Sequence, residues 1–122
     1  MARGKQIQSV KGMHDILPQD WPWRDFVFKK TKTILEDYDF ERIETPVLEE
    51  TELFVRGVGE GTDIVEKEMY SFKTKGGDSV TMRPEGTAPV VRAYLEHGMR
   101  SLPQPVKLYY LSPKFRHEQP QA

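Results

Sequence analysis

Five consecutive residues in the middle of the chain combine side chains that could bind a charged ligand. Arg83, Pro84, Glu85, Gly86 and Thr87 follow an alternating, strand-like run and precede a helical pattern. Glu85 and Thr87 offer oxygen acceptors that suit a ligand with an ammonium group and a second donor. Gly86 permits close approach of a ligand or an unusual φ. The alternative is a turn in which Glu85 or Thr87 only caps the helix and Arg83 pairs with a neighbour, and the spacing leaves both open.

A second candidate cluster, Phe115 to Glu118, lies close to the end of the chain. The guanidinium of Arg116 can make bidentate bonds to a phosphate or a carboxylate. Glu118, two residues later, would point to the same face of a strand. The alternative is an ordinary salt bridge between strands, which stabilises little when it is exposed.

The chain offers no pattern typical of a metal or dinucleotide site. It has no cysteine, and His14, His97 and His117 are widely spaced without clustered carboxylates, so we expect no bound metal. A short helical turn precedes the glycines of residues 57–61. These glycines do not follow the G-x-G-x-x-G order in a strand-turn-helix unit, so we expect a mobile loop there.

Two helices are predicted from the spacing of apolar residues. The first runs from about Trp21 to Tyr38, with Asp20 as its cap and Pro22 in its first turn. The second runs from Glu85 to about His97 and ends at Gly98, a residue that favours the C-terminal cap of a helix.

Three strand regions complete the prediction. Residues 40–49 are predicted to form a strand in which Pro46 stops regular pairing. Residues 67–84 are predicted to form a β-hairpin with its turn at 75–78. Residues 106–118 are predicted to form a long last strand. Without regular βαβ repetition, this order predicts an α+β fold with a mainly antiparallel sheet and flanking helices.

Composition limits the classes of function. The 122 residues carry a formal net charge of −1, which gives no electrostatic reason to expect nucleic-acid binding by the chain as a whole. No run approaches the ~18 apolar residues that cross a bilayer. The basic start lacks the apolar segment of a secretory signal, so we interpret it as a mobile arm or an edge strand and expect a cytoplasmic protein. The acidic stretch 36–50 is interpreted as a solvated face.

The chain ends directly after a strong strand pattern and a polar cluster. An unpaired edge strand is a hazard for the fold, so we expect a fragment whose sheet is incomplete. The alternative is a naturally short protein with a frayed tail.

Several segments together resemble class II aminoacyl-tRNA synthetases, and most closely the histidyl-tRNA synthetase family. Residues 40–54 resemble motif 1 of the class, with Pro46 as its marker in the region that forms the dimer interface. Residues 81–94 resemble a segment of the histidyl enzymes, and residues 106–121 resemble the first half of their motif 2. Motif 1 alone is a weak signal, whereas R-P-E-G-T followed by F-R-H-E-x-P-Q is specific.

The resemblance implies a role for five residues. Glu85 and Thr87 match positions that hold the α-ammonium group of the substrate histidine, and Gly86 lies between them. Arg116 matches the arginine that contacts the carboxylate of the amino acid and the α-phosphate of ATP. Glu118 matches a glutamate near the adenine amino group.

The resemblance also implies a parent enzyme larger than this chain. It would be a cytoplasmic homodimer that uses histidine, ATP with Mg²⁺, and tRNA(His). The second half of motif 2, motif 3 and the anticodon-binding domain would follow Ala122, so residues 1–122 would be the first part of the catalytic domain and inactive alone. The alternatives are a regulatory paralogue that partners an ATP phosphoribosyltransferase in histidine biosynthesis, and an α+β interaction module without a ligand.

Overall fold

The structure is a computed structural model that describes residues 4–58 and 68–117. The chain forms two compact units, one up to Tyr38 and one from Asp39 onward. Glu118 and most of the 57–61 glycine segment therefore lie outside the described residues. Within the described residues, no helix is long and apolar enough to cross a bilayer.

The first unit is dominated by one helix. Helix α1 (Trp21–Asp37) follows a 3-10 turn at Pro18–Asp20 and confirms the predicted helix to within one residue. The capping role predicted for Asp20 is wrong, because its carboxylate accepts a hydrogen bond from Leu17 N at 3.0 Å and caps none of the N–H groups of α1. Residues 4–17 contain no strand, so the edge-strand interpretation of this segment is also wrong.

The second unit contains a three-stranded antiparallel sheet. Strands β2 (Leu48–Glu50), β3 (Ser71–Lys73) and β4 (Ser79–Met82) lie in the order β2-β4-β3. The predicted hairpin is confirmed in β3 and β4. Its turn is closed by a hydrogen bond from Thr74 N to Asp78 O at 2.9 Å, and Gly77 takes a φ of +92° that favours glycine.

The strand predicted over residues 40–49 is divided between two sheets. Strand β1 (Glu41–Arg42) pairs in parallel with β5 (Leu108–Tyr109), whereas β2 pairs with β4. Pro46 lies in the break, where its missing N–H removes a donor that a continuous ladder would need. The prediction of one strand was wrong in this respect.

The last predicted strand is much shorter than residues 106–118. Regular pairing ends at Tyr109, and Pro113 interrupts the segment that follows. Residues 115–117 are instead held by separate hydrogen bonds, from Phe115 N to Arg83 O at 3.0 Å and from His117 N to Glu68 O at 2.7 Å.

Two helices accompany the sheet. Helix α2 (Thr51–Val58) is longer than the predicted turn and includes Gly57, so the prediction of a loop at this glycine is wrong. Helix α3 (Thr87–Glu96) confirms the second predicted helix. Gly98 follows it with a φ of +65°, and its N–H bonds to Leu95 O at 3.2 Å, as expected for a C-terminal cap.

The core of the second unit lies where α2 meets the sheet and α3. Phe54 on α2 and Thr81 on β4 are fully buried, and Pro89 on α3 is buried with them. The Thr81 hydroxyl bonds to the hydroxyls of Thr51 at 2.8 Å and Ser71 at 2.7 Å, so this buried polar group is satisfied. The architecture is α+β with a mainly antiparallel sheet, as predicted.

Candidate functional site

Arg83 lies at the end of β4 and is almost fully buried, with 2% of its surface exposed. Its Nε donates to Pro113 O at 2.9 Å and its Nη1 to Thr45 O at 2.6 Å. Its backbone N–H bonds to Val47 O at 2.9 Å. Arg83 thus joins three chain segments through backbone carbonyls, which confirms the alternative in which it pairs with neighbours.

Glu85 caps helix α3. Its carboxylate accepts hydrogen bonds from Thr87 N at 2.5 Å and from Ala88 N at 3.0 and 3.3 Å. The exposed N–H groups at a helix start favour a negative charge, so Glu85 does cap the helix, and its role in binding a ligand stays a prediction. A carboxylate has about four lone-pair positions, and two N–H donors leave capacity for a further cation.

Gly86 is buried, and its φ of −107° is ordinary. The expected unusual φ is therefore wrong. A Cβ at this position would lie 2.3 Å from Cε2 and 2.6 Å from the hydroxyl oxygen of Tyr110. The close approach predicted at this glycine is thus made by a side chain of the protein, and only glycine leaves room for that ring.

A cavity of about 1130 Å³ lies between α2, β2 and α3. Glu85 and Thr87 line one part of it, and apolar residues such as Leu53 and Val91 line another. The Thr87 side chain is exposed. The structure therefore brings together the two acceptors predicted from the sequence.

Arg116 is exposed and does not line this cavity. Its chain segment is nevertheless fixed to the corner formed by residues 83–87, because Phe115 N bonds to Arg83 O. The structure thus places the backbone of Arg116 next to a strand end that leads directly to Glu85.

Lys114 is a partly buried cation beside the same corner. Its Nζ donates to the carbonyl and the hydroxyl oxygens of Ser112, both at 2.9 Å, and lies 4.8 Å from the centroid of the Tyr110 ring. Burial and the charge of Arg83 lower the pKa of Lys114, and the charge of Glu85 partly opposes this shift. Neither Lys114 nor Tyr110 is predicted from the sequence, because no local pattern marks either residue.

An ion pair with one buried partner also borders the cavity. Glu49 is 7% exposed, and its carboxylate pairs with Arg92 through Nε at 2.8 Å and Nη2 at 2.9 Å. Arg92 also pairs with Glu96. The hydrogen bond to Glu49 is the main cause of the raised pKa of Arg92. Interpreting the whole acidic stretch as solvated was therefore wrong for Glu49.

The described residues hold no cluster of three or more potential metal ligands. His117 instead contacts Tyr70, with the hydroxyl oxygen 3.4 Å from Nδ1 and the two rings nearly perpendicular. Glu118, proposed to contact adenine, lies outside the described residues.

Comparison with known proteins gives a consistent family. The model of the family described as histidyl-tRNA synthetase matches residues 12–122. The histidine–tRNA ligase of Dehalococcoides mccartyi is 59% identical over 115 residues, which are 94% of this chain and 28% of that protein. The chain thus spans less than a third of the length of this relative.

Solved structures agree with this result. The apo histidyl-tRNA synthetase of S. aureus matches 91% of this chain and 30% of its own, with 42% identity and a TM-score of 0.78. A protein of Bacillus halodurans, described as an ATP phosphoribosyltransferase regulatory subunit/histidyl-tRNA synthetase, matches 96% of this chain and 30% of its own, with 24% identity and a TM-score of 0.77. That second similarity shows the fold alone. From the family match over residues 12–122, the chain belongs to the histidyl-tRNA synthetase family.

Proposed function

We propose that this chain supplies the amino-acid-binding part of a histidine–tRNA ligase, an enzyme that activates histidine with ATP and transfers it to tRNA(His). The observation that carries the proposal is that Glu85 and Thr87 line the same cavity, in a chain of this family. The 59% identity to the D. mccartyi ligase supports the same activity.

Glu85 is the group that we assign to the α-ammonium of histidine. The N–H groups of Thr87 and Ala88 hold its carboxylate in one position. A fixed carboxylate with unused acceptor capacity is suited to a cation, and the neighbouring Thr87 hydroxyl can accept a second ammonium hydrogen. Gly86 joins the two and keeps their backbone close to Tyr110.

Arg116 is the group that we assign to the carboxylate of histidine and the α-phosphate of ATP. In the activation step, a carboxylate oxygen of histidine attacks the α-phosphorus, the bond to the pyrophosphate oxygen breaks, and pyrophosphate leaves. This step needs no general base from the protein. Position and charge neutralisation therefore supply most of the rate, and a guanidinium can bind two oxygens at once.

Other parts of the proposal rest on the resemblance to the family and not on contacts within the described residues. Glu118 would contact the adenine amino group. Mg²⁺ would accompany ATP, and we assign it no ligand because the described residues hold no cluster of three potential ligands. The region around Pro46 would contribute to a homodimer, and the enzyme would act in the cytoplasm. Motif 3 and the anticodon-binding domain would be supplied by sequence outside these 122 residues.

A hybrid enzyme tests the proposal. In this hybrid ligase, the chain replaces the matching segment of the D. mccartyi enzyme, and ATP–pyrophosphate exchange is measured with each amino acid. We expect exchange that depends on histidine, and none from the 122-residue chain alone. A folded hybrid ligase without exchange would contradict the proposal. Exchange by the isolated chain would contradict the expectation that residues 1–122 are inactive alone.

The regulatory-paralogue alternative is not favoured. The B. halodurans similarity is one of fold alone at 24% identity, whereas the relative with 59% identity is a histidine–tRNA ligase.

A further inference from the structure

One packing arrangement connects the two parts of the proposed histidine site. The Tyr110 ring occupies the space next to Gly86 where any other residue would place a Cβ, with distances of 2.3 to 2.6 Å to that position. The Lys114 ammonium lies 4.8 Å from the centroid of the same ring, a distance at which a cation and an aromatic ring attract each other.

Lys114 is itself held in place. Its Nζ donates to the carbonyl and hydroxyl oxygens of Ser112 at 2.9 Å, so the ammonium cannot leave the ring without losing two hydrogen bonds. We call Tyr110, Ser112 and Lys114 the latch. The latch lies on the segment that continues to Arg116, and it contacts the corner that carries Glu85.

We propose that Tyr110 and Lys114 are positioning residues that fix the Glu85 corner against the segment carrying Arg116. This inference rests on the proposed function, in which Glu85 and Arg116 bind two ends of one molecule. Neither Tyr110 nor Lys114 needs to touch the substrate. Their part is to keep the carboxylate and the guanidinium at the separation that the ammonium and the reacting carboxylate of histidine require.

Hydrogen bonds to Arg83 alone fix this separation weakly. Phe115 N donates to Arg83 O, which joins the corner to the segment, and Arg83 Nε donates to Pro113 O as a second such bond. Both act at Arg83, two residues before Glu85. The Tyr110 ring acts directly on Gly86, the residue between Glu85 and Thr87, and thus on the proposed ammonium-binding groups themselves.

The charges around the latch fit this role. The charges of Arg83 and Glu85 act on Lys114 in opposite directions, so Lys114 lies within electrostatic reach of both. The ring contact and the charge therefore act on the same corner.

The packing is tested first in the 122-residue chain by a double-mutant cycle. Gly86→Ala, Tyr110→Ala and the double variant are compared by urea denaturation. We expect Gly86→Ala to lower the midpoint strongly when Tyr110 is present and much less when it is replaced, because the alanine Cβ then has room. An equal effect of Gly86→Ala in both backgrounds would overturn the packing argument.

The positioning role is tested in the hybrid ligase by the kinetics of ATP–pyrophosphate exchange. We expect Tyr110→Ala to lower kcat about 10- to 100-fold with a smaller change in the KM for histidine, because small displacements between reacting groups are costly. Tyr110→Phe keeps the ring and should restore most of the rate. Lys114→Met should lower kcat and Lys114→Arg should restore it.

Lys107→Met serves as the matched control, since Lys107 lies over a different ring, 5.7 Å from the centroid of Phe40. We expect it to leave kcat unchanged. A folded Tyr110→Ala hybrid with unchanged kcat would overturn the positioning role. If the unmodified hybrid shows no exchange, the proposed function and the positioning role both fail, whereas the mutant cycle still decides the packing.

Discussion

Replacement of Glu85 by glutamine separates its role as a helix cap from its proposed role in binding histidine. The glutamine amide oxygen can still accept a hydrogen bond from Thr87 N or Ala88 N, which now bond to the carboxylate. The substitution removes the negative charge but keeps the size of the side chain. We therefore expect the chain to stay folded.

The magnitudes of the two roles differ. Loss of a charge at a helix start costs about 0.3 to 1 kcal/mol of stability. Loss of a charge-assisted hydrogen bond to an ammonium costs about 1.5 to 3 kcal/mol, which corresponds to roughly a 10- to 150-fold weaker interaction. The KM for histidine in the hybrid ligase should rise by about this factor, while the KM for ATP changes little.

The assay is histidine-dependent ATP–pyrophosphate exchange with histidine varied at saturating ATP. Glu44→Gln is the matched control, because Glu44 is an exposed carboxylate outside the corner, and it should leave both KM values unchanged. If Glu85→Gln lowers the stability of the chain but leaves the KM for histidine within about twofold, Glu85 is only a helix cap and the reasoning is refuted.

Four further results are expected. Arg83→Met should destabilise the 122-residue chain by about 2 to 4 kcal/mol in denaturant titrations, since it leaves the carbonyls of Thr45 and Pro113 without their donor. Replacement of the exposed Arg24 by methionine should have almost no effect, and equal effects of the two substitutions would refute the role of Arg83 in joining these segments. Glu49→Gln should cost about 1 to 3 kcal/mol, because it removes the charge of a buried carboxylate that pairs with Arg92. Glu52→Gln, in an exposed pair with Arg56, should cost less than about 0.5 kcal/mol, and the reverse order would be inconsistent with the burial of Glu49. Gly77→Ala should lower the free energy of unfolding by about 1 kcal/mol or more, because the φ of +92° at this position is unfavourable for alanine. Gly76→Ala should be nearly neutral, because a Cβ there meets nothing closer than 3.7 Å. Burial and Arg83 lower the pKa of Lys114, so an NMR titration should find the midpoint of Lys114 below the ordinary lysine value of 10.5. The midpoint should be lower still in the Glu85→Gln variant, which removes the charge that raises this pKa. A midpoint unaffected by Glu85→Gln would show that the two side chains do not interact electrostatically.

The linkage between Lys114 and stability has a definite sign. Because the pKa of Lys114 is lower in the folded chain than in the unfolded chain, the unfolded chain binds more protons between the two values. The contribution of Lys114 to the free energy of unfolding therefore rises with pH in the window between the lowered pKa and 10.5. Below that window Lys114 is charged in both states, and its contribution no longer changes.

The predictions from the sequence succeeded where short-range patterns decide the structure. Helix α1 follows from apolar spacing, and the β3–β4 turn follows from two adjacent glycines, one of which needs a positive φ. Glu85 and Thr87 were predicted at one helix start and lie there, because the break after Arg83-Pro84 is a local signal. These features depend on residues close together in the chain.

The features that were missed depend on contacts between distant residues. Glu49 and Arg92 are 43 positions apart, and neither residue type nor spacing indicates that the strand end and helix α3 meet. Gly86 and Tyr110 are likewise remote in sequence, so the glycine was explained by a ligand or an unusual φ and not by an aromatic ring. The final strand was overestimated, because β-prone residues cannot form a ladder without a partner strand, whatever their propensity.

The most direct test of the proposed histidine site is a crystal structure of the hybrid ligase with a non-hydrolysable histidyl-adenylate analogue. We expect a Glu85 oxygen within about 3.2 Å of the α-ammonium nitrogen, the Thr87 hydroxyl as a second acceptor, and the Arg116 guanidinium at the oxygens of the α-phosphate mimic. An analogue bound with its ammonium group away from Glu85, whose carboxylate contacts only the N–H groups of α3, would contradict the assignment.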